Sequence, residues 1–125
     1  MGILSGLLGN ASDYDPSKAN KEYDALLADG ERVEKAYKVL RDAFLFTNIR
    51  LIIVDKQGLT GKKVSYHAIP YKSITHYAIE TLGHFDLNAE LKIWISSASQ
   101  PVEKTFQKDS NVYDVQKTLT QYLMK

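Results

Sequence analysis

The chain has 125 residues, of which 44% are hydrophobic and 25% charged, so it matches one globular domain, and a disordered or low-complexity chain is excluded. Sixteen Lys and Arg against fifteen Asp and Glu leave a formal net charge of +1, which argues against a nucleic-acid-binding protein. The sequence has no cysteine, so disulfides, thiolate nucleophiles and cysteine-ligated metals are excluded, and the composition suits a cytoplasmic protein.

The first ten residues carry four aliphatic side chains at helical spacing, which are Ile3, Leu4, Leu7 and Leu8. This segment lacks a basic start and a long apolar run, so we expect neither a signal peptide nor a membrane span. Gly6 stands where an N-myristoylation motif needs Ser or Thr, which excludes that modification. No Lys or Arg flanks the stripe, so packing on protein is favoured over packing on a bilayer.

A helix is predicted over residues 16–28. It starts at Asp15-Pro16, a typical helix beginning, and Tyr23, Leu26 and Leu27 share one side before Gly30 offers a stop. The next segment, 32–40, fits both a helix and one face of a strand, and its periodicity alone favours the helix.

Short runs of β-branched and aromatic residues then predict strands. Residues 43–46 and 49–54 form a hairpin around Thr47-Asn48, and a polar turn with Gly58 and Gly61 leads into a strand at 64–69 that Pro70 closes.

The second half of the chain continues as strands and ends in a helix. Strands are predicted over 73–81, 87–95 and 102–108, with a turn at Gly83-His84. The strand over 87–95 has the clearest alternation in the sequence. Asn111 resembles a helix cap, and the helix after it has an apolar stripe of Val112, Val115, Leu119, Tyr122 and Leu123.

No pattern in the sequence indicates catalysis. The histidines, His67, His76 and His84, are spread over two strands and a turn without the close spacing of a zinc site. Ser65 lies two residues from His67, and His84 two from Asp86, but side chains two apart share a strand face without being aimed at each other. We therefore predict no catalytic residue, no metal site and no cofactor.

Two surface features are candidates for binding. Lys56, Lys62 and Lys63 cluster around the predicted glycine turn, which lacks the ending of a phosphate-binding loop; they suit an acidic partner, and a solvated turn is the alternative. Trp94 lies on the polar face of its strand beside Glu90 and Lys92, a position typical of an interface unless a terminal helix covers it. Tyr71 and Tyr77 complete this candidate interface, with ordinary core packing as their alternative.

Several segments of the chain, taken in order, carry a family resemblance: residues 46–52, 54–63, 69–74, 80–81, 83, 85–87 and 89–95. Together they resemble the bacterial pleckstrin-homology (PH) domain family, formerly a domain of unknown function, over roughly residues 30–123. The resemblance implies a mostly β, α+β fold: a PH-like split β-barrel of about seven antiparallel strands, with a C-terminal capping helix and an extra N-terminal helix. It also implies that 32–40 is the first strand, and it divides the chain into an extension, 1–30, and a PH-like domain, 31–125.

The resemblance implies a non-enzymatic binding or scaffolding module whose members tend to form cyclic homo-oligomeric rings, with a pentamer among the sizes considered. Eukaryotic PH domains often bind phosphoinositides through basic residues in the first strand loop, where this chain has only Arg41 and Asp42. The leading hypothesis is a cytoplasmic ring that offers strand edges to an unidentified protein partner. The alternative is a peripheral membrane or lipid-binding adaptor that uses the apolar N-terminus and the three lysines.

Overall fold

A computed structural model describes residues 12–39, 41–81, 88–107 and 112–125, which form two antiparallel sheets and two α-helices. The first sheet has five strands in chain order: β1 (Ser12–Asp13), β2 (Val33–Val39), β3 (Asp42–Thr47), β4 (Arg50–Gln57) and β5 (Lys63–Pro70). The second has three: β6 (Ile74–Thr81), β7 (Asn88–Ile95) and β8 (Val102–Gln107). Helix α1 (Pro16–Glu22) precedes β2 and helix α2 (Val112–Leu123) follows β8, with 3₁₀ turns at Asp24–Leu26 and Tyr71–Ser73.

The first sheet is buried on both faces at its centre. In β3 and β4, residues 43–46 and 51–54 are all buried, which explains why both strands are continuous apolar runs. Alternate side chains serve two clusters. Phe44, Phe46, Leu51 and Ile53 join a core shared with the second sheet, whereas Ala43, Leu45, Ile52 and Val54 face the N-terminal segment.

The N-terminal segment covers the outer face of the first sheet. Tyr14, Ala19 and Tyr23 are buried against that face. Asn20 fixes the helix in place, because its side-chain amide donates to the Val33 carbonyl at 3.0 Å and its Oδ1 accepts the Val33 N–H at 2.9 Å. The predicted helix over 16–28 is too long: α1 ends at Glu22, because Tyr23 leaves helical geometry to enter the core and a 3₁₀ turn follows.

A buried ion pair joins this segment to the β3–β4 hairpin. Arg50 Nε donates to Glu31 Oε2 at 2.8 Å and its terminal nitrogen to Oε1 at 3.0 Å, while the Glu31 side chain is fully buried. Thr47 Oγ1 at 2.8 Å and the Ala28 N–H at 2.9 Å complete the shell. Burial alone would favour the neutral carboxyl, but the hydrogen bonds from Arg50, Ala28 and Thr47 outweigh it and lower the pKa of Glu31.

The segment over 32–40 forms a strand, so the periodicity-based prediction of a helix is wrong and the implication of the resemblance is confirmed for β2. A register shift between Val33 and Lys35 interrupts the alternation. The strand is also buried on both faces, with Ala36 in the outer cluster and Tyr37 in the inner core. These two effects place apolar residues at 33, 36 and 37, a spacing that imitates a helix.

The inner core lies between the two sheets and α2. Leu91 and Ile93 of β7 and Phe106 of β8 meet the inner face of the first sheet. Helix α2 adds four residues of the predicted stripe, Val112, Val115, Leu119 and Tyr122, and the fifth, Leu123, is partly buried against the same core. Hydrogen bonds also hold the helix at its polar positions, from Tyr37 to Thr118 at 2.8 Å and from Tyr77 to Thr120 at 2.6 Å.

The two sheets do not close into a barrel. No described strand of the first sheet pairs with a described strand of the second, so the predicted split barrel is corrected to two packed sheets, with seven principal strands and the short β1. A charge link bridges them instead: Lys104 Nζ of β8 lies 3.0 Å from Asp55 of β4 and 3.7 Å from Asp42 of β3. Strands β5 and β6 therefore keep free outer edges within the described chain.

Candidate functional site

The outer face of the second sheet carries the aromatic stack that we call the Trp94 face. The register pairs Trp94 with His76 across β6 and β7, and the two rings stack with centroids 4.4 Å apart and planes inclined by 12°. Thr75 Oγ1 lies 3.0 Å from His76 Nδ1 and donates to the Trp94 carbonyl at 3.2 Å. Trp94 is half-buried by this arrangement, and among the described residues His76 supplies its ring contact.

Charged residues extend the Trp94 face along the same strands. Lys92 and Glu90 lie on it, as predicted, and Lys92 Nζ is 2.9 Å from Glu80 and 4.0 Å from Glu90. The hydrogen bond from Lys92 to Glu80 raises the pKa of Lys92. The face therefore joins one aromatic stack to a mixed-charge patch, a composition that suits a polar contact with another protein. Sequence reasoning missed His76 as the partner of Trp94, although cross-strand pairing could have identified it.

Tyr71 and Tyr77 lie elsewhere. Tyr77 pairs with Ile93, an inner-core residue, so it lies on the opposite face of the second sheet from Trp94, and its hydroxyl bonds Thr120. Tyr71 stacks on Tyr122 at 5.2 Å and donates to the Thr47 carbonyl at 2.7 Å. Burial is the main cause of the raised pKa of Tyr71. The predicted grouping thus separates into the Trp94 face and two tyrosines that pack beside α2.

Tyr71 and Tyr122 border a cavity of about 390 Å³ at the β3–β4 end of the molecule. Its other lining residues are Asn48, Ile49, Pro70, Lys72 and Lys125. Lys125 lies over the Tyr122 ring at 4.2 Å, so part of the basic character of this cavity is already used in an intramolecular contact.

The predicted basic cluster lies at the opposite end of β4, with Lys62 and Lys63 on what we call the glycine turn, residues 57–63, and Lys56 just before it. Lys62 and Lys63 are exposed, whereas Lys56 is half-buried and its backbone N–H donates to Asp42 at 2.9 Å. The structure adds Arg41, whose guanidinium donates to the Gly58 carbonyl at 2.7 Å, and Leu59, whose side chain is 104% exposed. Sequence reasoning named Arg41 only as part of the first strand loop and did not consider Leu59, although a leucine between two turn glycines is a visible signal.

Strand β5 is the most open edge of the first sheet. Residues 65–68 are all exposed, and β4 is its only described strand partner. Tyr66 makes an edge contact with Tyr23 of the N-terminal segment at 6.4 Å between ring centroids.

The described histidines lie apart from each other. His67 and His76 are exposed and lie in different sheets, and no set of three His, Cys, Asp or Glu in the described ranges could hold a metal ion. His84, Asp86, the Asn111 cap and the apolar stripe at 3–8 lie outside the described residues. In the parts of the chain with described structure, no helix is long and apolar enough to cross a membrane.

Comparisons with known proteins place this architecture in context. The profile of the family described as "Bacterial PH domain" matches residues 2–123, a match that includes most of the predicted N-terminal extension. The uncharacterized protein YjqA of Bacillus subtilis (strain 168) is 52% identical over 125 residues, covering 99% of this chain and all of that protein.

Solved structures agree with this match. The pleckstrin homology domain from Shewanella amazonensis is 50% identical, with a TM-score of 0.84 and 98% of each chain covered. A duf1696 family protein with a pleckstrin-homology domain from Shewanella loihica is 48% identical, with a TM-score of 0.77, covering 92% of this chain and 98% of that one. A PH-domain-containing protein from Exiguobacterium sibiricum is 26% identical, with a TM-score of 0.62, covering 91% and 62% of the two chains.

Proposed function

Because this chain belongs to the bacterial PH domain family, we propose that it is a non-enzymatic scaffold: a cytoplasmic homo-oligomeric ring that captures a protein partner by strand addition. The observation that carries the proposal is the open edge of β5. A free edge offers unpaired N–H and C=O groups to another extended chain, and proteins usually protect such edges with charge, proline or a bulge.

Strand β5 lacks these protections along most of its length. Residues 64–69 contain no proline and no Lys, Arg, Asp or Glu, and four consecutive residues, 65–68, are exposed. The other edges differ. Strand β8 carries Glu103 and the inward-pointing Lys104, β6 has a register shift between Ile74 and His76, and β1 is only two residues long. Strand β5 is therefore the edge best suited to accept a partner strand.

The ring is proposed to use the Trp94 face as a subunit contact. A half-buried tryptophan beside Lys92 and Glu90 has the aromatic centre and polar rim of a protein interface. Native mass in solution, measured by light scattering at low and high salt, tests this proposal. We expect a discrete multimer that Trp94→Ala weakens and that Tyr113→Ala, a change at an exposed tyrosine of α2, leaves intact. A monomer at every concentration would contradict the ring.

The strand-addition proposal has a test with an internal control. Successive N–H groups of an edge strand point alternately toward its neighbour and away, so of Tyr66→Pro and His67→Pro only one removes a hydrogen bond to β4. The variant with the higher melting temperature is the one that keeps all hydrogen bonds between β4 and β5. Extended peptides selected from a random display library should bind the wild type at high salt and fail to bind that stable variant. Equal peptide binding by the wild type and by the stable proline variant would contradict strand addition at β5.

A further inference from the structure

The cavity beside the end of α2 has a wall of aromatic rings that are held in place. Tyr122 stacks on Phe46 with ring centroids 5.6 Å apart, and on Tyr71 with centroids 5.2 Å apart. Phe46 is fully buried, whereas Tyr71 and Tyr122 line the cavity. The Tyr71 hydroxyl donates to the Thr47 carbonyl at 2.7 Å, which anchors its ring at the outer end of this series. The cavity therefore offers a preformed aromatic surface to a ligand.

The rest of the neutral lining is apolar or already hydrogen-bonded. Ile49 is 52% exposed and Pro70 is exposed, so both present apolar surface to the cavity and to solvent. The side chain of Asn48 also lines the cavity, but its amide donates to the Gly30 carbonyl at 3.1 Å and its Oδ1 accepts the Arg32 N–H at 2.8 Å. A ligand in this cavity would therefore gain apolar contacts from the neutral residues, and its polar contacts would come from the charged ones.

The charged residues in the lining of the cavity are two lysines, Lys72 and Lys125. Lys72 is exposed, and none of the ion pairs among the described residues uses it. Lys125 Nζ lies over the Tyr122 ring and is 3.8 Å from Glu34, which has two closer partners, Arg32 at 2.9 Å and the Tyr122 hydroxyl at 2.7 Å. Lys125 can therefore turn to a ligand without leaving Glu34 unpaired.

We propose that this cavity binds a small aromatic carboxylate, whose ring packs against Tyr71, Ile49 and Pro70 and whose carboxylate meets Lys72 and Lys125. The volume of about 390 Å³ is near the lower end of the range of ligand pockets, so it suits a small molecule. Aromatic walls favour a planar ring in the ligand, and lysines at the same cavity favour an anion. This inference goes beyond the proposed capture of a protein strand and does not depend on it.

The experiment titrates phenylacetate into the full chain at constant ionic strength and follows binding by saturation-transfer difference NMR. A ligand of about ten non-hydrogen atoms should bind with a dissociation constant of about 1 mM. Phenylacetamide keeps the ring and loses the charge, so we expect it to bind about fivefold more weakly. Acetate keeps the charge and loses the ring, so it should bind about tenfold more weakly than phenylacetate.

Variants with matched controls locate the site. Lys72→Gln and Ile49→Ser should each weaken phenylacetate binding about threefold, and Tyr71→Leu about fivefold. Tyr71→Phe, which keeps the ring, should bind as the wild type does. Lys62→Gln and Leu59→Ser change an exposed lysine and an exposed aliphatic residue on the glycine turn, at the other end of β4, and should leave binding unchanged. Lys72→Gln and Ile49→Ser change exposed side chains, so the test does not depend on the folding of Tyr71→Leu.

Several results would overturn the proposal. These are no binding of phenylacetate in the millimolar range, equal binding of phenylacetate and phenylacetamide, or a loss with Lys62→Gln as large as with Lys72→Gln. Inorganic phosphate that displaces phenylacetate more than chloride does at equal ionic strength would indicate a site for the anion alone and would likewise contradict the proposal. Strand addition is tested separately by peptide display, so failure of the aromatic-carboxylate site is distinguishable from failure of the proposed function.

Discussion

Replacement of Glu31 by glutamine tests whether the buried ion pair stabilises the fold. The Glu31 side chain is fully buried and accepts four hydrogen bonds, two of them from Arg50. In Glu31→Gln one accepting oxygen becomes an N–H₂ group that faces donors, and the Arg50 charge loses its counter-ion. Removing one partner of a buried pair costs about 3–5 kcal/mol, and because 27% of the Arg50 side chain is exposed we expect the lower end, about 3 kcal/mol.

Urea unfolding provides the assay, with circular dichroism for the whole fold and the fluorescence of Trp94, the single tryptophan, for the second sheet. The control is Glu80→Gln, which removes a surface pair with Lys92 and should cost less than about 1 kcal/mol. The folded pKa of Glu31 lies below its usual value, so its contribution is present above the unfolded pKa of about 4.3 and is lost as pH falls through the folded pKa. A difference between wild type and Glu31→Gln below about 0.5 kcal/mol at neutral pH, or one that does not shrink in acid, would refute the reasoning.

Two further predictions concern the N-terminal segment. Asn20→Ala leaves the Val33 N–H and carbonyl without their side-chain partner, so we expect the free energy of unfolding in urea to fall by about 1–3 kcal/mol. Lys21→Ala, at the exposed neighbouring position, should change it little. Equal effects of the two substitutions would contradict a stabilising role for the Asn20–Val33 hydrogen bonds. Burial, followed by the nearby Glu22, raises the pKa of Tyr23 to about 12, so the unfolded chain ionises first and stability falls as pH rises above about 10. In Tyr23→Phe this alkaline decline should be shallower by at most about 1.4 kcal/mol per pH unit. An unchanged decline measured by pH-dependent unfolding would contradict the assignment.

Local sequence patterns predicted most of the fold because most strands follow one dominant signal. The alternation over 87–95 and the apolar runs at 43–46 and 49–54 correspond to β7 and the β3–β4 hairpin. The pattern failed at 32–40, where a bulge and burial on two faces together imitated a helical period. The sequence predicted too long a helix α1 because Leu26 and Leu27, which follow the end of the helix, are also apolar and pack against the outer cluster of the first sheet.

The candidate sites were predicted less completely, since they depend on contacts between distant parts of the chain. Trp94, Glu90 and Lys92 share a face because they alternate along one strand, a local property. The stack on His76 and the brace from Arg41 to Gly58 depend on register and hairpin packing, which periodicity does not specify. The interface role of the Trp94 face stays a prediction.

The two clusters of the first sheet differ in how far along the chain their members extend. The outer cluster draws its residues from positions 14–64, so everything it needs has been synthesised before β6 exists. The inner core needs Phe106 and the helix residues up to Tyr122, close to the C-terminus. During synthesis the outer cluster can therefore form first, while Phe44, Phe46 and Leu51 gain their full cover only after α2 has been made. The interval between the synthesis of β5 and that of α2 is therefore the one in which the first sheet is covered on one side only and is exposed to misassociation.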